Sequence, residues 1–293
     1  MTALSPKDFA LVMLIVVVWG FNFAAAKIGV AVAPPLALLA MRFFIVGILL
    51  VPFVRFPRKQ IGLVIAISTV LGTVHFGVMF VGLQWVDVAT ASLIGQLQVP
   101  FAVMLGVLVY KEKLGLRQIL GMALAFGGLL VVFGKGDATY NWLGVAMISF
   151  AALVWASSNL MVKKVTDTSP IGTTAWMSLL AGPQLFALSL IFDDQPVARL
   201  LASGWTGAGS IIYMVIGATL IGYGGWYTLM QRVPLSVLSP FMLLVPVCGV
   251  LSGVWFLGEP LTWRIVVGGA LTILGIGVIN VRPRALFKKA GQS

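Results

Sequence analysis

The sequence predicts an all-α integral membrane protein with ten transmembrane helices, arranged as two inverted five-helix repeats around a central cavity. Three observations predict this class. Hydrophobic residues make up 60% of the 293 residues, charged residues make up 9%, and a motif in the first half recurs in the second. A soluble domain contains about 25% charged residues, so a chain this apolar needs lipid as its solvent.

The recurring motif contains a glutamate, an arginine and two glycines near the end of each half. Each member of the second copy lies 147 positions after its counterpart, and an earlier tryptophan and lysine recur with a shift of 136. The pairs are Glu112 and Glu259, Arg117 and Arg264, Gly121 and Gly268, Gly128 and Gly275, Trp19 and Trp155, and Lys27 and Lys163. A membrane protein built from two like halves usually places a transport pathway between them.

Ten apolar runs are long enough to cross a bilayer, which takes roughly 20 residues per helix. The runs are continuously apolar, whereas the strands of a membrane β-barrel alternate with a period of two residues. We place the spans at Phe9–Lys27, Pro35–Val54, Ile61–Gln84, Ala89–Tyr110, Leu116–Phe133, Trp142–Lys163, Thr173–Phe192, Gly207–Met230, Leu235–Phe256 and Trp263–Val281. The repeats then occupy residues 1–137 and 138–293, and the second ends in a short basic tail.

Basic residues predict the orientation, because cytoplasmic loops carry an excess of lysine and arginine. With the N-terminus inside, the inner segments hold Lys7, Arg55, Arg58, Lys59, Lys111, Lys113, Arg117, Lys163, Lys164, Arg232, Arg282, Arg284, Lys288 and Lys289. The outer segments hold Lys27, Lys135, Arg199 and Arg264. We therefore expect both termini in the cytoplasm. Five spans per half also require the second copy to insert upside down relative to the first.

Composition argues against several other functions. The net charge of +11 lies at the ends of apolar runs, so it predicts membrane orientation and no nucleic-acid partner. The single cysteine, Cys248, excludes a disulfide or a cysteine-based metal site within the chain. One histidine and no carboxylate pair within a span leave no nucleophile–base set. We expect no enzyme activity, no metal and no cofactor.

Polar and aromatic residues inside the spans are the candidates for substrate contact, since polar groups at lipid depth are costly and often face a cavity. The candidates are Trp19, Asn22, His75, Met79, Gln96, Gln98, Trp155, Asn159, Tyr223, Trp226 and Ser239. Several have an alternative role: the tryptophans and Tyr223 in packing or an interfacial belt, the asparagines in helix–helix bonds, and His75 in a hydrogen-bonded core.

Four further features carry expectations about structure. Arg42 lies in the second span, and we expect its long side chain to extend to the outer headgroups; pairing with helix carbonyls or with a substrate carboxylate is the alternative. Pro100 and Pro246 are repeat partners, predicted to kink two helices and to act as hinges. Glu112 and Glu259 are expected at helix starts, where the helix dipole favours them. Gly121 with Gly128, and Gly268 with Gly275, form a glycine stripe on spans five and ten that allows close helix packing. We expect a monomer, with pairing of two protomers through the stripes as an alternative.

The repeated motif resembles a known family. Residues 99–132 and 245–279 both contain a proline, then about a dozen residues, a glutamate, an arginine and a glycine-rich helix. Together with WGFNF at 19–23, these stretches resemble the drug/metabolite transporter superfamily, and within it the bacterial EamA-like exporters. The one histidine in span three, with aromatics on spans six and eight, is most similar to the aromatic and neutral amino acid exporters.

The resemblance implies an inner-membrane carrier that exports small metabolites, chiefly amino acids, by alternating access and with broad specificity. The four-helix drug pumps of the same superfamily use a carboxylate within the membrane, and here all eight acidic residues fall at span ends or in loops. Facilitated transport is then the simpler mechanism, although His75 could titrate near neutral pH. The alternatives are a nucleotide-sugar or phosphate-ester exchanger, which needs several cations in its cavity, and a proton-coupled drug efflux carrier.

Overall fold

The structure is a computed structural model that describes residues 5–111, 114–134 and 141–280. Within these ranges the chain is helical and contains no strand, as predicted. They hold nine helices long and apolar enough to cross a membrane and a shorter apolar helix. We number them α1 (Pro6–Val32), α2 (Pro35–Phe53), α3 (Ile61–Leu83), α4 (Val88–Val109), α5 (Leu116–Val132), α6 (Trp142–Val162), α7 (Pro170–Phe192), α8 (Gly204–Met230), α9 (Ser239–Leu257) and α10 (Trp263–Asn280).

Three expectations fall outside the described residues. They are the role of Glu112, the boundary between residues 137 and 138, and the basic tail at 281–293.

Local capping explains where two helices begin earlier than the apolar pattern indicates. Ser5 precedes α1, and its hydroxyl accepts a hydrogen bond from the Asp8 N–H at 3.1 Å. Ser169 precedes α7 and accepts from the Gly172 N–H at 3.1 Å. A proline follows each serine at the first helical position, where its missing N–H costs nothing.

The first span ends later than predicted, because Lys27 does not terminate it. The Lys27 ammonium donates hydrogen bonds to the carbonyl oxygens of Leu83 at 2.7 Å, Gln84 at 3.1 Å and Val86 at 3.0 Å. These carbonyls lie at the C-terminal end of α3, where the helix dipole also favours a cation. With its charge bound in this way, Lys27 remains inside α1, which continues to Val32.

Four spans are interrupted near their middle or their start. α3 contains a π-helical segment at Ser68–His75, and α8 contains one at Tyr213–Tyr223. α4 is divided by a turn, so that its second segment begins at Gln98. α9 begins with a 3₁₀ segment at Ser239–Leu244. Such interruptions are frequent at functional sites.

Helix packing comes in matched sets between the two halves. α2 packs against α7, and α5 against α10. α1 packs against α8 and α9, and its counterpart α6 packs against α3 and α4. A twofold relation between the halves would produce this pattern, so the packing supports the inverted repeat, which stays a prediction.

Glycines bring α5 and α10 into backbone contact. A Cβ added to Gly121 would lie 2.7 Å from the carbonyl oxygen of Gly275, and one added to Gly128 would lie 2.5 Å from that of Gly268. The first glycine of α5 thus contacts the second of α10, and the second glycine of α5 contacts the first of α10. The two helices therefore run antiparallel. The stripes are buried within one chain and are not free to pair two protomers; the oligomeric state stays a prediction.

Carboxylates of the second half cap helices of the first half. Glu259 accepts hydrogen bonds from the N–H groups of Val88 at 2.7 Å and Ala89 at 3.0 Å, at the start of α4. Asp193 accepts from the Ala37 N–H at 3.1 Å, at the start of α2. The Glu259 carboxylate thus lies at a helix start, as expected, but the helix is α4 of the first half and not α10, which follows Glu259 in the chain. Burial raises the pKa of the Glu259 carboxyl above its ordinary value, although the two N–H groups oppose this change.

Candidate functional site

A cavity of about 440 Å³ lies between the two halves. Its walls combine aromatic rings, amides and aliphatic side chains from α1, α3, α4, α6, α8, α9 and α10, with Arg42 from α2. One of the lining residues is Asn280, which is exposed and is the last residue of α10. The cavity therefore reaches the side of the protein at which α10 ends, opposite the end that carries Lys27 and Glu259.

One wall is an aromatic cluster on α1 and α8. The Trp19 indole N–H donates to the Ala218 carbonyl at 3.0 Å. The Trp19 ring lies 5.3 Å from the ring of Tyr223 and 5.7 Å from that of Trp226, between ring centroids. Gly222 allows this approach, because a Cβ there would lie 2.9 Å from the indole Cδ1. These contacts hold Trp19 inside the protein and not in an interfacial belt.

The facing wall is formed by α3 and α6. His75 is 6% exposed, and its ring lies 4.9 Å from that of Trp155. The His75 Nδ1 lies 2.7 Å from the Ala151 carbonyl oxygen. A carbonyl oxygen only accepts, so Nδ1 carries the hydrogen in this contact. His75 therefore joins two roles that the sequence kept apart, a hydrogen-bonded core residue and a cavity wall.

Amides and a thioether complete the polar part of the lining. Met79 of α3 and Gln96 and Gln98 of α4 all face the cavity. Gln98 would point away from Gln96 on a regular helix, but the turn between the two segments of α4 brings both amides to the same space. Asn22 lines the cavity from α1, and its Oδ1 is buried without a hydrogen-bond partner in the described part of the chain.

A smaller cavity of about 110 Å³ continues the first. The two share the side chains of Arg42, Phe76, Trp155, Tyr223 and Tyr227. Asn159 lines this smaller cavity and not the larger one. Ser239 lies at the start of α9 and lines neither, so the structure does not support substrate contact at Ser239.

Arg42 is buried, and the expectation that it extends to the outer headgroups was wrong. It is 3% exposed and lines both cavities. The guanidinium carbon lies 5.5 Å from the ring centroids of Phe43 and Phe76. Cation–π contact compensates part of the loss of hydration, and this is the physical reason why the side chain remains inside.

Pro100 and Pro246 each follow an interruption in their helix. Pro100 is the third residue of the second segment of α4. Pro246 is the second residue of the α-helical part of α9, directly after the 3₁₀ segment. The structure thus places a break in the helix just before each proline; motion at these breaks stays a prediction.

Within the described residues, neither cavity lining contains a carboxylate, and no group of three or more His, Cys, Asp or Glu residues is placed to hold a metal ion. The arrangement offers stacking surfaces, amide donors and acceptors, and one permanent positive charge. Linings of this composition are typical of sites for small, partly apolar ligands.

Comparison with known families decides what kind of protein this is. The model of the family described as "EamA-like transporter family" matches residues 8–134 and again residues 142–281. The chain belongs to the EamA-like transporter family. The resemblance of the repeated motif to this family is confirmed, and the chain is a multi-pass membrane transporter.

Two bacterial relatives of this EamA-like transporter are similar over nearly their whole length. A protein of Escherichia coli (strain K12), named probable amino-acid metabolite efflux pump, is 33% identical over 97% of this chain and 99% of the relative. A protein of Salmonella typhimurium (strain LT2) with the same name is 32% identical over 98% of this chain and 100% of the relative.

A solved crystal structure shares the fold of this EamA-like transporter. Its TM-score is 0.62 and its sequence is 16% identical, with 96% of this chain and 99% of that chain covered. At this identity the similarity shows the fold alone.

The sequence missed several lining residues of the EamA-like transporter's cavity. Phe23, Phe76 and Ile276 line it but are apolar residues in apolar runs, so no local signal marks them. Asn280 carried a signal, because it is an amide at the end of a span. Arg42 was noticed for its charge but was assigned to the headgroups.

Proposed function

We propose that this EamA-like transporter exports amino acids and related small metabolites, with a preference for aromatic and neutral ones. The observation that carries the proposal is the 440 Å³ cavity with indole, phenol and imidazole rings on facing walls. Ligand cavities of about 300–1,000 Å³ suit small molecules. The names of the two bacterial relatives support an amino-acid metabolite as the substrate.

The transport is proposed to be facilitative and to work by alternating access. A buried carboxylate is the usual group that exchanges a proton, and the described cavity residues include none. Matched packing of the two halves favours a mechanism in which one half rocks against the other. The protein is proposed to lie in the bacterial inner membrane with both termini in the cytoplasm, which makes the cavity in this structure open inward.

The alternatives are less well supported. A phosphate-ester exchanger would need several cations facing the cavity, and Arg42 is the one lysine or arginine among the described lining residues. A proton-coupled drug efflux carrier would need a carboxylate that exchanges protons, and the described cavity lining contains none. His75 is then the group that would have to couple transport to protons.

Uptake of labelled amino acids into proteoliposomes that contain the purified protein tests the proposal. We expect phenylalanine to equilibrate without a pH gradient and faster than alanine, because the cavity offers rings for stacking. Accumulation that requires a pH gradient would contradict the facilitative mechanism. Absence of uptake for every amino acid would contradict the substrate class.

A matched pair of tryptophan variants controls for general damage. Trp155→Ala removes a ring from the cavity wall, so the rate for phenylalanine should fall more than the rate for alanine. Trp205→Ala removes a ring that is 90% exposed and lies outside the described cavity lining. It should leave the ratio of the two rates unchanged.

Pro100 and Pro246 are proposed as the hinges of alternating access. Replacement by alanine restores an N–H group and lets α4 or α9 form a more continuous helix. We expect Pro100→Ala and Pro246→Ala to reduce the transport rate by a larger factor than the amount of protein in the membrane. Pro183→Ala is the control, since Pro183 lies inside α7 on an exposed face. Equal transport by all three variants would refute the hinges.

A further inference from the structure

Arg42 is a buried cation. Within the described residues no Asp or Glu forms an ion pair with it. Its Nε is buried without a hydrogen-bond acceptor, and its Nη1 reaches the Met214 sulfur at 3.9 Å. A thioether is a weak acceptor. Because an unpaired buried charge is costly, a guanidinium in this state is suited to a ligand that brings the missing negative charge.

The neighbours of Arg42 hold it without neutralising it. The rings of Phe43 and Phe76 each lie 5.5 Å from the guanidinium carbon and lie 5.3 Å from each other in an edge-on arrangement. Aromatic rings attract a cation through their faces but accept no strong hydrogen bond. The rings therefore fix the position of the guanidinium while its N–H donors keep their capacity.

The cavity presents this cation to a ligand. The backbone of Arg42 lies about 10 Å along α2 from the first residue of the helix, given the rise of about 1.5 Å per residue. Its side chain lines both the larger and the smaller cavity. No carboxylate among the described lining residues competes for it. A guanidinium is planar and offers paired N–H donors that match the two oxygens of a carboxylate.

A residue with a complementary group, Asn22, lines the same cavity. The Asn22 Oδ1 is a buried acceptor without a partner in the described chain. An ammonium group can donate to such an oxygen, and the rings of Trp19 and Tyr223, which line the same cavity, offer faces that attract a cation. A free donor at Arg42 and a free acceptor at Asn22 together complement a molecule with one carboxylate and one ammonium.

We propose that Arg42 binds the carboxylate of the transported substrate and thereby selects molecules with a free carboxylate over amines and amides of the same shape. This rests on the proposed function for the identity of the substrate as an amino acid. The proposal makes Arg42 a specificity-determining residue of the cavity, with the substrate carboxylate as its missing anion.

Equilibrium binding to the purified full-length protein in detergent tests this assignment. The probes are phenylalanine, phenylalanine amide, phenethylamine and 3-phenylpropionate, which share a ring and differ in their charged groups. We expect phenylalanine to bind about tenfold to 100-fold more tightly than the amide and phenethylamine, which corresponds to the loss of hydrogen bonds with a charged group.

Two arginine variants isolate the role of position 42. Arg42→Gln should weaken phenylalanine binding by a similar factor and change phenethylamine binding by less than about threefold. Arg199→Gln is the matched control, because Arg199 is exposed and lies in the short helix Pro196–Ala202 between α7 and α8. It should bind all four probes as the unmodified protein does. The probe series on the unmodified protein keeps the test decisive if Arg42→Gln fails to fold.

The outcomes separate this proposal from the proposed function. Equal binding of phenylalanine and phenethylamine would overturn the role of Arg42 and leave amino acid export intact. Binding of 3-phenylpropionate that depends on Arg42, without binding of any amino acid, would support the role of Arg42 and overturn the amino acid substrate. Absence of binding by both carboxylate probes would overturn the role of Arg42.

Discussion

The Gly128→Ala variant should lose about 1–3 kcal/mol of stability, the typical cost of overpacking a close contact. A Cβ at this position would lie 2.5 Å from the Gly268 carbonyl oxygen and 2.6 Å from the Thr272 backbone nitrogen. Both atoms belong to the backbone of α10 and cannot rotate away. α5 and α10 must therefore move apart and lose contact along their length.

The neighbouring glycine supplies the control. Among the described residues, a Cβ at Gly127 meets no atom within 4 Å, so Gly127→Ala should be neutral or should stabilise the helix by up to about 1 kcal/mol through helix propensity. Both variants gain the same propensity, and the difference between them isolates the contact. The measurement is thermal unfolding of the purified variants in detergent, and equal unfolding temperatures would contradict the close packing of α5 against α10.

Replacing Lys27 with methionine should destabilise the fold by about 1.5–3 kcal/mol, the range for hydrogen bonds to a charged group. The ammonium holds three carbonyl oxygens at the end of α3, and methionine donates to none of them. The connection between α3 and α4 should loosen as a result, although Glu259 still holds the start of α4.

The repeat offers a control for Lys27 at the equivalent position of the second half. Lys163 follows α6 and is exposed, so Lys163→Met should change stability by less than about 0.5 kcal/mol. Thermal unfolding and hydrogen exchange at residues 83–89 measure the two effects. Comparable unfolding temperatures for both variants would show that the three carbonyl contacts contribute little.

Much of the fold follows from the sequence because lipid imposes a simple rule. Every apolar run of sufficient length must satisfy its backbone hydrogen bonds internally, and a helix does so. The rule gave the ten spans but not their ends, since the end of α1 depends on the carbonyl oxygens that Lys27 contacts at the end of α3 and just after it. It also gave no indication of the π-helical segments at Ser68–His75 and Tyr213–Tyr223, because an apolar run does not distinguish the hydrogen bonds of an α-helix from those of a π-helix.

The cavity lining was predictable where polarity and position agreed. Trp19, His75 and Gln96 are conspicuous inside apolar runs, and the structure places them on the cavity. Arg42 shows where this reasoning fails. A charge near a span end is expected to seek water, and the rings that hold Arg42 belong to α2 and α3, whose approach in space a single sequence does not reveal.

The crossed glycine contacts between α5 and α10 limit how the two halves of the chain can diverge. In a twofold interface, a residue of one partner meets a residue of the other and the reverse contact also occurs; Gly121 with Gly275 and Gly128 with Gly268 follow this rule within a single polypeptide. A larger residue at any of these glycines therefore disturbs the packing of both halves, and neither half can substitute its glycines independently of the other. Around the cavity the two halves contribute different side chains. His75 and Tyr223 are the last residues of the π-helical segments in the corresponding helices α3 and α8, and they carry an imidazole and a phenol. The two halves are therefore constrained together at the α5–α10 contact but can differ in the side chains of the cavity walls.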